Sequence, residues 1–196
     1  MHRQQLLQLL ARYRTPYMEE AGMVARTRRF VAQHPDCFNR ELMHGHVSGS
    51  AWVVNPARDR VLLLHHRKLE RWLQPGGHAD GETDIHRVVM QETAEESGID
   101  MAQIRLLDDA IFDVDVHVVH ESEHDPRHTH FDIRFLLEID DRLPLPGNDE
   151  SHQVAWVPLH QVSRFNNALS LHRMVDKTRR VRRGGARLSP MSQHGS

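Results

Sequence analysis

The residues from Gly76 to Ile99, GGHADGETDIHRVVMQETAEESGI, restrict the chain more than any other segment. A glycine pair opens the run, Asp84 is placed to cap a helix over 85–97, and Gly98 is placed to end it. Glu92, Glu95 and Glu96 fall three and four residues apart, so they share one face of that helix. Like charges at this spacing repel, and acids near a helix C-terminus oppose its dipole. A segment that accepts both penalties points to a cation, and oxygen ligands favour a hard divalent one, Mg²⁺ or Mn²⁺. For an isolated E-x-x-E-E a solvated acidic face is the simpler explanation. The upstream Gly76-Gly77 and the spacing to Gly98 turn the balance toward a metal helix.

The segment resembles the Nudix box, G-x5-E-x7-R-E-U-x-E-E-x-G-U with U aliphatic. Gly77, Glu92, Glu95, Glu96, Gly98 and Ile99 match, while Thr83, Gln91 and Thr93 stand where the box has glutamate, arginine and an aliphatic residue. The resemblance spans roughly residues 45–180 and is specific only in the box. It implies an α/β fold, a Nudix-type α/β/α sandwich around a mixed β-sheet, here with an N-terminal helical extension. It also implies a hydrolase that cleaves a phosphoanhydride bond with Mg²⁺ or Mn²⁺, acting on a small phosphorylated, nucleotide-derived substrate. Carried over by position, Glu92, Glu95, Glu96 and the Gly76 carbonyl would ligate the metal. The box does not assign the general base; Glu96 and Glu150, in the loop before Val154, are the candidates, with an ordinary loop acid as the plainer account of Glu150.

Two competing readings follow from the departures. Gln91 carries no charge to orient the glutamates, and Thr83 is no acid, although Glu82 lies beside it; a weakly active or inactive nucleotide-binding module on the same fold is one alternative. An isopentenyl-diphosphate isomerase-like enzyme, which shares the fold and uses histidine and glutamate ligands, is the other. That enzyme is expected to use a site cysteine, and the lone Cys37 lies well before the box.

At 196 residues the chain suits one domain with an appendage. A single cysteine allows no internal disulfide and fits a reducing compartment, and no apolar run is long enough to span a bilayer. A cytoplasmic protein without a membrane partner is the expectation. The formal charge is −2, but residues 173–187 hold seven Lys or Arg against one Asp. Arg173, Lys177 and Arg180 fall at helical spacing, which suits a solvated face; RNA contact is the lesser alternative, and nucleic acid is not the expected partner.

Leucines at 6, 7, 9 and 10 fit an amphipathic helix over 3–13, and a second helix spans 17–33. Residues 1–40 are thus read as the helical extension, with packing, homodimerisation or shaping of the substrate mouth as its roles. Residues 41–183 form the Nudix domain and 184–196 a frayed tail. Strands are expected over 46–55, 60–66, 110–119, 129–139 and 154–157, with a last helix from 169 to about 180.

Around the later strands the residue types alternate. Asp113, Asp115 and His117 share one parity, as do His128, His130, Asp132 and Arg134, so a hairpin would gather them on one face. The functional reading is a substrate wall, with Arg134, His128 and His130 holding phosphate, or a second metal site; the plainer one is a solvated sheet face. Arg67 and His78 flank the glycine pair and are further candidates for substrate contact. Trp72 reads as core.

Overall fold

The computed structural model describes residues 3–42, 44–119 and 126–184, with side chains to 181. Five α-helices and eight strands alternate along the described chain: α1 (Gln4–Arg12), α2 (Met18–Gln33), β1 (His46–Val54), β2 (Arg60–His66), β3 (Arg71–Leu73), β4 (Gly76–His78), α3 (Ile85–Ser97), β5 (Arg105–Leu106), β6 (Asp113–Val119), β7 (His128–Glu138), β8 (Ser151–Pro158), α4 (Val162–Phe165) and α5 (Leu169–Gly184). The strands form one mixed sheet, so the expected α/β architecture holds. Its axis is the parallel pair β1–β7, in register from His46 opposite His130 to Val54 opposite Glu138. Around that axis β4 lies antiparallel to one end of β1 and β2 to the other, while β6 runs antiparallel to β7.

Alternation along β1 sorts the two cores. Val47, Ala51 and Val53 join Ile85, Val88 and Val89 of α3, together with Leu6 and Leu10 of α1 and Phe30 of α2. Trp52 and Val54 face the other way, onto Leu171, Met174 and Val175 of α5. Helix α3 has the bounds the box spacing predicts. Asp84 accepts from the His86 amide at 3.1 Å, and Gly98 closes the helix at φ +71°. A side chain at 98 would be strained there and would meet Pro146. Thr93, in the aliphatic slot of the box, is fully buried; its Oγ1 donates to the Val89 carbonyl at 2.7 Å, which satisfies the hydroxyl inside the core.

The sequence reading missed the short β3, β4, β5 and α4, because two- to four-residue elements carry no readable period. It placed β8 too narrowly at 154–157, where the strand runs Ser151–Pro158, and ended α5 early. The expected tail falls, apart from Gly184, on residues outside the described ones.

The predicted hairpin forms, with Asp113 opposite Arg134, Asp115 opposite Asp132 and His117 opposite His130. Its polar face is exposed at His117 but largely closed off from solvent elsewhere. Asp113, Asp132 and Arg134 are buried, and Arg134 donates to Asp132 at 2.7 Å, Asp115 at 3.1 Å and Asp113 at 3.3 Å. From α5, Arg173 donates to both Asp113 oxygens at 2.8 and 2.9 Å, and Lys177 donates to Asp113 at 2.7 Å and to Glu20 of α2 at 2.6 Å. The basic helical face is therefore turned inward at Arg173 and Lys177, which corrects the solvated reading of that segment. The sequence could not show it, since the partners of these cations lie more than fifty residues away in the chain. Tyr13, Thr15 and the Val114 amide also donate to Glu20, so the N-terminal helices are bonded into the domain.

Removing Asp113 takes away the one carboxylate that all three cations share, and leaves Arg134, Arg173 and Lys177 with donors unpaired out of water beside Asp115, Asp132 and Glu20. Asp113→Ala is expected to lower the unfolding free energy by roughly 3–5 kcal/mol, the range for breaking a buried ion pair, as a shifted urea midpoint. A loss within about 0.5 kcal/mol would mean that the network relaxes without its centre.

Candidate functional site

Helix α3 and strand β4 build the acidic site together. Gly76 and Gly77 lie on β4, paired through Ser50 and Gly49 to β1, and α3 packs across the same strands. The Gly76 amide donates to Glu96 Oε2 at 2.8 Å. A Cβ on Gly77 would stand 2.5 Å from the Glu92 carboxyl carbon, so the carboxylate rests on bare backbone that only glycine leaves open. Glu96 is buried, Glu92 half-buried and Glu95 exposed. The three acids thus grade from core to solvent along the helix face that their spacing assigned to them.

Their electrostatics record the crowding. Burial, then the charges of Glu95, Glu150 and Asp80, push the Glu92 carboxyl up to about 7, against a partial offset from Arg40. Burial, with Glu92, Glu150 and Glu95, pushes Glu96 up to about 8 despite the Gly76 amide. Both groups lie well above the ordinary 4.5. The residues fit a divalent cation in the terms that matter: oxygen donors, mutual repulsion, and too little positive charge nearby to relieve it.

Gln91 leaves the box position for a cation uncharged, and the positive charge acting on Glu92 is instead Arg40, from the segment before β1. Arg40 also pairs with Asp80 at 3.0 Å. Nothing in the box pattern signals this residue. Glu82 does not stand in for the missing glutamate at 83. Its Oε1 accepts from the amides of Thr83 and Asp84 at 2.8 and 3.0 Å, so it shapes the turn before α3.

Glu150 is exposed in the loop before β8, and its charge raises both Glu92 and Glu96. Arg67 sits beside it: the Arg67 amide donates to the Glu150 carbonyl at 2.9 Å and Nε to the Ser151 carbonyl at 3.3 Å. Trp72 is half-buried, stacked on His65 with ring centroids 5.2 Å apart and edge-on to Phe165. Arg134 lies apart from these groups, its guanidinium taken up by three aspartates.

His78, His128 and His130 come together, joined by His46, which the sequence reading did not single out. His78 Nε2 lies 3.1 Å and His128 Nε2 2.9 Å from His130 Nε2. His46 stacks on His128 at 4.7 Å. Burial, reinforced by His117, His78, His46 and His128, pushes His130 down to about 2, so its ring is neutral at physiological pH. His46 reaches this group through the parallel β1–β7 register, a contact that no local pattern encodes.

The layered mixed sheet, with a glycine-opened strand feeding a glutamate-bearing helix, defines a Nudix-type fold. The NUDIX domain family model matches residues 44–178. The chain therefore belongs to the NUDIX domain family, whose activity class is hydrolysis of pyrophosphate bonds. Solved structures agree on the fold. A C. elegans Ap4A hydrolase in a binary complex is 17% identical with a TM-score of 0.56, covering 70% of this chain and 98% of its own. RenU, a Nudix hydrolase from M. smegmatis, is 18% identical with a TM-score of 0.50, covering 75% and 90%. No curated protein matches significantly.

Both raised carboxyls make the metal-free protein pH-sensitive. Between 4.5 and about 8 the folded state holds more protons on Glu92 and Glu96 than the unfolded chain does. The stability this pair contributes is therefore full below pH 4.5 and is lost as pH rises through about 7 and about 8. Thermal unfolding with a chelator present should show a falling Tm over that window, and Glu96→Gln should flatten the fall. An equal slope in both proteins would remove Glu96 as its source.

Proposed function

We propose that the chain hydrolyses the phosphoanhydride bond of a nucleoside diphosphate-linked or related organic diphosphate, with Mg²⁺ or Mn²⁺ held by Glu92, Glu95, Glu96 and the Gly76 carbonyl. The observation that carries this reading is a buried and a half-buried carboxyl, Glu96 and Glu92, mutually repelling and lodged against glycine backbone, an arrangement costly for the protein alone. A bound dication supplies charge neutralisation at the diphosphate and lowers the pKa of a water.

The chain's own residues then have separable tasks. The Gly76 amide holds Glu96 in one orientation, and Gly77 lets Glu92 lie flat on β4. Glu95, exposed at the rim, is free to meet an incoming phosphate-bound ion. Glu96, in its ionised form, is one candidate general base, in place of rather than beside its role as ligand. Glu150 stands within the same field from the opposite loop and is the second candidate base. Arg67, exposed beside Glu150, is the cation placed to meet substrate phosphate. Arg134 has no such role in this reading, because its donors already hold three carboxylates.

The absence of a box arginine favours one specific alternative, a module that binds nucleotides without turning them over. Turnover on a panel of nucleoside and sugar diphosphates with Mg²⁺ separates the two. The wild type should release a phosphate-containing product, and Glu95→Gln should slow release by on the order of 10²-fold or more. Nucleotide binding without turnover by the wild type would establish the binding module instead.

A further inference from the structure

We propose that His46, His78, His128 and His130 form a second, separate metal site, built to hold a zinc-class transition-metal dication. Each ring offers one nitrogen, and these nitrogens lie within 4.8 Å of one another. The set is assembled by tertiary structure from three adjacent strands: His46 from β1, His130 from its register partner on β7, His128 two residues back on the same face, and His78 from β4. His46 and His128 are buried and the other two are half-buried.

Hydrogen bonding within the cluster carries the argument further than proximity does. His128 Nδ1 lies 2.7 Å from the Pro126 carbonyl. A carbonyl only accepts, so Nδ1 holds the proton and Nε2 of the neutral ring presents its lone pair. That Nε2 is 2.9 Å from His130 Nε2. On the other side, His78 Nδ1 takes an N–H from Arg40, so its Nε2 holds the proton, 3.1 Å from the same His130 Nε2. His130 Nε2 has either a proton or a lone pair. It can donate to His128 or accept from His78, and it cannot do both. With neutral rings, one of the two contacts always sets like ends together.

A dication among these nitrogens removes the conflict, because every ring then directs a lone pair at the same charge. His78 would carry its proton on Nδ1, and Arg40 would retain its other partner, Asp80, at 3.0 Å. The Pro126 carbonyl already does for His128 what an outer hydrogen bond does for a metal-bound imidazole, fixing both ring and tautomer. Four neutral imidazoles without a carboxylate disfavour Mg²⁺, which demands oxygen, and suit zinc. Tetrahedral Zn–N bonds of about 2.0–2.1 Å would place the nitrogens about 3.3 Å apart. Two of the pairs, His128–His130 at 2.9 Å and His78–His130 at 3.1 Å, are already near that spacing. Because His78 directly follows Gly76-Gly77, an ion here would pin β4 to β1 and β7 and so hold the strand on which Glu92 and Glu96 rest.

The test uses the full-length protein, stripped of metal and kept in excess Mg²⁺ so that the glutamates are saturated. Calorimetric titration with ZnCl₂ should show one equivalent bound, and CoCl₂ should give the intense visible absorption of a tetrahedral centre. His128→Asn combined with His130→Asn should weaken zinc by more than about 100-fold and abolish that absorption, whereas Glu95→Gln should retain both. The proposal is overturned by no zinc uptake in the wild type, by the weak spectrum of six-coordinate cobalt, or by loss of zinc in Glu95→Gln to the same degree. Should circular dichroism show the double variant unfolded, the wild-type cobalt spectrum decides alone. No readout depends on hydrolysis, so failure here leaves the proposed activity standing, and the reverse.

Discussion

Nine consecutive residues of β1 lie in parallel register with β7, and most of the chemistry of this molecule hangs on that pairing. It sets Ser48 and Ser50 on Asp132, at 3.2 and 2.8 Å, and brings His46 beside His130. The free edge of β1 near Ser48–Ser50 receives β4, which delivers Gly76 and Gly77 to α3. A parallel pair needs a long connection between its strands, and here α3 lies within that connection, packed on the face of β1. A slip of one residue would turn the polar and apolar faces of β1 over together.

Two kinds of buried charge sit on this frame, and they differ in how they are balanced. The Asp113 network is closed: three aspartates and a glutamate meet two arginines and a lysine, with each carboxylate in contact with a cation. Such a set holds α2, β6, β7 and α5 in one arrangement. The glutamates of α3 are open, with only an offset from Arg40 against several acids. A closed network serves structure; an open one leaves charge for something brought from outside.

The departures from the box take on physical sense in this setting. Thr93 is accommodated because its hydroxyl turns back on the helix, and Glu82 is absorbed by the turn that precedes it. Gln91 is the consequential one, since the nearest compensating cation now comes from the segment that links the N-terminal helices to β1. Those helices are therefore tied both to the ion network, through Glu20, and, by way of Arg40, to the rim of the acidic site.

What the sequence determined by itself was local: α3 with its Asp84 cap and Gly98 stop, the shared face of the three glutamates, and the two-residue alternation of β6 and β7. Each rests on spacings of a few residues, where helix and strand periods act directly. Whether those polar faces met water or protein was not local. Arg173, Lys177 and Glu20 lie far from Asp113 in the chain, and His46 and His78 lie far from His130, so only the folded sheet could turn an apparently solvated face into a buried ion network at one end and a knot of imidazoles at the other. Burial removes the water that would otherwise screen such groups, and it is fixed by which strands and helices stack, a property of the whole chain that no short pattern contains.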